Sequence, residues 1–114
     1  YMLPRTMGMA KAMGAALFAD KISARQADQW GMIWEVVDDE QLSSRSAELA
    51  LRLAKGPTRA FAAIRRSLRD GLNADYADQL ETEADRQGDL GKSRDFAEGV
   101  LAFLEKRSPE FEGR

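Results

Sequence analysis

The chain contains no cysteine and no histidine. Without cysteine there are no disulfides and no thiolate chemistry, which fits a reducing compartment; the expected location is the cytoplasm. The two absences together remove zinc-finger spacing, His-containing catalytic triads and Cys–His pairs, so no metal site is expected. Acid–base chemistry would fall to carboxylates, lysines or tyrosines. No apolar run approaches the roughly 20 residues of a membrane span. The first residues carry no signal-peptide hydrophobic region. Nor is there an excess of one charge: 17 basic against 19 acidic residues leave a net −2. Such a surface gives no push toward nucleic acid or an anionic membrane.

What is present suits a helical fold. Hydrophobic residues make up 44% of 114 positions, enough for one domain at most, spanning 1–114, with a modest core. Folding at this size buries roughly two-thirds of the surface. Small and unbranched residues predict a helix from Arg5 to about Phe18, opened by Pro4. Gly8 and Gly14 within it point to close packing against another backbone. Ser23 to Gln26 reads as a capping box, followed by a short helix that Gly31 ends in a left-handed conformation. Met32–Val37 is a short extended run, too short and isolated to found a sheet. Asp38 and Asp39 begin the next helix at its positive end, with Leu42, Leu49 and Leu53 at helical spacing. Pro57 starts another, whose buried face is marked by Phe61, Ile64 and Leu68. Asn73 is the predicted cap of a weakly amphipathic helix through about Gln87, striped by Tyr76, Leu80 and Ala84. Ser93 caps the last helix, predicted to end near Arg107. The fold class is therefore all-α, with five or six helices and one short extended segment.

Several constellations give way to plainer readings. Gly91-Lys92-Ser93 ends like a phosphate-binding loop, but that motif needs glycine where Arg86 stands, and a strand before it. Arg59, Arg65, Arg66 and Arg69 lack interleaved aromatics and read as a solvated helix face. Glu81, Glu83 and Asp85 have no histidine to complete a site. The C-terminal stretch differs. Phe96, Val100, Phe103 and Leu104 share one broad face, and a helix carried to Arg107 would make Phe103 and Lys106 neighbours. A ring can stack on a base, and a lysine suits phosphate as a compact charge.

The stretch SRDFAEGVLAFLEKRSPEFEGR at Ser93–Arg114 resembles the C-terminal signature of the crotonase (enoyl-CoA hydratase/isomerase) superfamily. LPR at Leu3–Arg5 and ISARQADQWGMIWEVVDDEQL at Ile22–Leu42 resemble the same family in the same order. Within it, QWGMIWEVVDD at Gln29–Asp39 is most similar to isomerases of bacterial phenylacetate breakdown. The resemblance implies a helical C-terminal region that mediates trimers, or dimers of trimers, and helps close the coenzyme A (CoA) site. It implies an acyl-CoA thioester as substrate, with no separate cofactor, and a reaction through an enolate held by two backbone N–H groups. It also implies that an aromatic and a lysine of the AFLEK stretch, here Phe103 and Lys106, contact CoA's adenine and phosphate, often across a subunit boundary. The helix of Leu3–Phe18 would lie near the acyl pocket. Tyr1 is an unusual first residue, and the family's catalytic residues would precede it. The chain is accordingly expected to hold no catalytic residue and to lack turnover alone. The other reading, of a different class, is a helical assembly module with no ligand.

Overall fold

The computed structural model describes residues 1–114, all of the chain. It holds seven helices and no strand: α1 Leu3–Met7, α2 Met9–Phe18, α3 Ala24–Gln29, α4 Asp39–Ala54, α5 Thr58–Asp70, α6 Tyr76–Gly91 and α7 Arg94–Glu105. The all-α class holds. Two compact units form, Tyr1–Arg45 and Ser46–Arg114.

In the first unit, the single helix expected from Arg5 to Phe18 is broken at Gly8. There φ is 81° and ψ is 156°, a conformation essentially reserved for glycine. That break accounts for the seventh helix. No atom lies within 4 Å of a side chain built at Gly8 or Gly14, so neither glycine marks close backbone packing. Ser23 caps α3 as its sequence position predicts, its hydroxyl accepting the Gln26 N–H at 3.2 Å. Gly31 adopts φ 74°, and the Gly31 and Met32 N–H groups bond back to Asp28 and Ala27 carbonyls at 2.9 and 2.8 Å. The run after it bends and forms no ladder. Within it, Glu35 accepts the Arg45 guanidinium Nε at 3.1 Å, tying the segment to α4.

In the second unit, α5 packs on α6 and α6 on α7. The α5–α6 contact is polar at its centre. Arg86 of α6 donates to the Ser67 hydroxyl at 2.9 Å and pairs with Asp70, while Gln79 donates to the Ser67 carbonyl at 3.1 Å. The cap position of α6 is Asp75 rather than Asn73, because residues after Asp70 form a turn before it. It also runs on to Gly91, so the Gly88–Gly91 segment is helix and not a phosphate-binding loop.

The expected core is smaller than the composition allows. Only Met7, Ala12 and Ala102 are buried hydrophobics, and no large side chain is fully enclosed. Ile64 and Leu68, predicted to face inward, are 52% and 72% exposed. The accessible surface is 9331 Å², against about 6,200 Å² for a self-contained protein of this mass. The stripes fit helical period, but within each unit there is too little for them to pack against.

Replacing Gly8 with alanine should cost about 1–3 kcal/mol, because the new side chain meets no neighbour but forbids the backbone conformation. Gly14→Ala, in the interior of α2, should stabilise by about 0.5–1 kcal/mol. Opposite shifts of the urea midpoint check both; equal shifts would contradict the helix break.

Candidate functional site

The candidate site is built on α7. Ser93 caps it: its hydroxyl accepts the Phe96 N–H at 3.1 Å and donates to the Leu90 carbonyl at 2.6 Å. This fixes the first turn and aims the following residues. The helix ends two residues before the expected Arg107, in a Schellman motif at its C-terminus. Lys106 takes φ 55°, and the Lys106 and Arg107 N–H groups reach the Phe103 and Ala102 carbonyls at 3.3 and 3.0 Å. Lys106 is thus the left-handed cap and not a residue of the last turn. The helical register that was the basis for pairing it with Phe103 stops at Glu105, while the Lys106 N–H still bonds the Phe103 carbonyl.

The chain then reverses and runs back along α7. Arg107 is fully committed. Its guanidinium forks onto Glu98 at 2.5 and 2.9 Å, and its Nε reaches Glu105 at 2.6 Å. The paired Arg107 holds the Glu98 carboxyl down from its usual 4.5 to about 2, and the Glu110 N–H, donated at 2.8 Å, acts in the same direction. Glu98 in turn raises Arg107, with Glu105 adding to it. Farther back, Asp95 is 6% exposed, and its two oxygens accept the Glu112 and Gly113 N–H groups at 2.8 and 2.9 Å. The Asp95 N–H donates to the Arg114 carbonyl at 3.0 Å. Gly113 sits at φ 78°, and a side chain there would come within 2.6 Å of the Thr58 hydroxyl, so the tail ends tight against the start of α5. At the surface, Arg114 lowers the Glu112 carboxyl by a direct bond at 2.6 Å.

Between α7, the tail and the α5–α6 pair lies an apolar cavity of about 600 Å³. Pro57, Leu90, Phe96, Val100, Phe103 and Phe111 are among the residues of its wall. Phe103 stands 83% exposed at this wall. Arg59 is the one cation among the lining residues, and Lys106 is not among them. Phe96, Val100 and Leu104, expected to be packed, instead border this open space. No group of three acids is placed to hold a metal ion, and Glu81, Glu83 and Asp85 form no such cluster. No helix is long and apolar enough to cross a membrane.

The structure thus brings Phe103 to a cavity, and leaves Lys106 exposed beyond it as the uncommitted cation of the Lys106–Arg107 pair. Sequence reasoning missed Asp95 and Glu98, took Arg59 as part of a solvated helix face, and gave Phe111 only as part of a tail docking on a neighbour. The signal for Asp95 is weak, since an acid in a first turn is already favoured by the helix dipole.

The family model for enoyl-CoA hydratase/isomerase matches residues 1–114. The chain belongs to that family. It is 52% identical over 98% of its length to a Rhodobacter capsulatus protein named probable enoyl-CoA hydratase, of which it covers 44%. It is 46% identical over its whole length to the 1,2-epoxyphenylacetyl-CoA isomerase of Escherichia coli, again covering 44% of that protein. Among solved structures, the enoyl-CoA hydratase of Bacillus anthracis superposes with a TM-score of 0.91 at 28% identity, over 98% of this chain and 43% of that one. The chain therefore spans less than half the length of the relatives it matches.

The Glu98 shift carries a sign. A lowered carboxyl adds stability above its unfolded value near 4.5, and that contribution is lost as pH falls toward about 2. Carbon-detected titration of Glu98 should give a midpoint near 2, and Arg107→Gln should return it toward 4.5. A midpoint unmoved by that substitution would contradict the fork.

Proposed function

We propose that this chain forms the helical C-terminal region of an acyl-CoA isomerase or hydratase, serving phenylacetate or fatty-acid breakdown in the cytoplasm. The substrate is a CoA thioester and no further cofactor takes part. In an isomerase an acidic side chain outside this chain takes the proton beside the thioester carbonyl, and in a hydratase water adds to the double bond; either way an enolate forms, and two backbone N–H donors outside this chain stabilise its oxygen. This region supplies no catalytic residue. It contributes part of the CoA site and the surfaces through which copies assemble, as a trimer or dimer of trimers.

The observation that carries this reading is the contrast between adjacent cations. Arg107 is consumed by Glu98 and Glu105, while Lys106 enters no ion pair, three residues from a ring that is 83% exposed. An exposed ring and an open ammonium suit a planar base bearing a phosphate. The names of the relatives, hydratases and isomerases of CoA thioesters, support the same substrate class. A ligand-free assembly module is favoured only by the exposed apolar stripes, such as Leu68 at 72%. It predicts an oligomer in sedimentation and no response to CoA.

In the full-length protein, Lys106→Met should raise KM for a CoA thioester about tenfold, since a hydrogen bond to a charged group is lost. KM for the corresponding 3′-dephospho-CoA thioester should stay within about twofold. Lys106→Gly should give the same KM change while adding about 1 kcal/mol of stability, because glycine relieves the left-handed backbone. Equal KM changes for both thioesters, or none for either, would overturn the lysine's assignment.

A further inference from the structure

The segment Glu110–Gly113 is clasped on both sides of one aromatic residue. Glu98 takes the Glu110 N–H, and Asp95 takes those of Glu112 and Gly113. Phe111 lies between the clasped groups. Its ring turns onto Gly99 of α7, 3.6 Å from where a side chain at Gly99 would begin. The same ring lines the apolar cavity that Phe103 borders. Both Asp95 oxygens are spent on the tail, so Asp95 has little left with which to touch a ligand directly.

We infer that Asp95 is a positioning residue: by clamping the backbone just past Phe111, it sets that ring as part of the wall of the cavity that Phe103 also lines, where a planar heteroaromatic group of the ligand is received. The inference rests on the CoA reading for the identity of the ligand, and on the clasp geometry for the placement of the ring. Asp95 acts on binding only through Phe111. Removing the clasp and removing the ring should therefore have the same effect, and removing both should add nothing.

The test uses the full-length protein and a CoA thioester. Asp95→Ala and Phe111→Ala should each raise KM about three- to tenfold, the loss of one aromatic contact, with kcat within about twofold. The double variant should match the single ones. A para-fluorophenylalanine at position 111, assigned by its loss in Phe111→Leu, should shift its fluorine resonance in Asp95→Ala. Asp95→Asn, which keeps one acceptor oxygen, should show the same signs at smaller size and serves if the alanine variant does not fold. An unmoved fluorine resonance overturns the inference. So does a KM unchanged by Asp95→Ala but raised by Phe103→Ala, or a double variant whose effects multiply. If Phe103→Ala and Asp95→Ala both leave KM unchanged, the CoA reading has failed, and a shifted resonance still upholds Asp95 as the residue that sets the Phe111 ring.

Discussion

Two carboxylates one helical turn apart, Asp95 and Glu98, hold the last residues of the chain against α7. They do so by accepting the backbone N–H groups of Glu110, Glu112 and Gly113. Hydrogen bonds to an ionised acceptor are among the stronger ones. The direction of the tail, the closure of the cavity on that side and the seat of Gly113 against Thr58 all depend on this clasp. The Schellman turn at Lys106 starts the reversal, and the Arg107 fork onto Glu98 keeps it on course.

That local order contrasts with the rest of the surface. Helices whose stripes keep good period leave those stripes open, and the buried hydrophobics are few. Exposed apolar surface of this extent is, in proteins generally, the kind that protein or ligand contacts cover. The relatives supply context in their length: this chain covers 44% of each of the two most fully described above. The polar α5–α6 contact, with Arg86 bridging Ser67 and Asp70, shows how this helix pair holds together without a large core.

The sequence spoke most clearly where structure is decided within a few residues. Ser23 and Ser93 were readable as caps because an N-cap bond spans three residues. Gly31 was readable because a left-handed stop is a local matter. The helix break at Gly8 was only half visible, since a glycine inside helical composition can as well be tolerated as break it. Lys106 was misplaced by one turn of reasoning: a non-glycine residue in the left-handed cap carries no local signal. The Asp95 clasp was illegible for a different reason. Its partners lie 17 and 18 residues away, and its worth depends on the path of a tail that only the folded chain defines. The Phe103 position was found by motif, and its setting at a cavity by structure.

The clasp is therefore the claim on which the site depends, and it has a direct observable. Hydrogen exchange of the Glu112 and Gly113 amides reports whether their N–H groups are bonded or open to water. A clasped tail predicts exchange slowed to the range of the α7 interior, and loss of that protection in Asp95→Ala. Amides that exchange at the rate of an unstructured chain in the unmodified protein would contradict it.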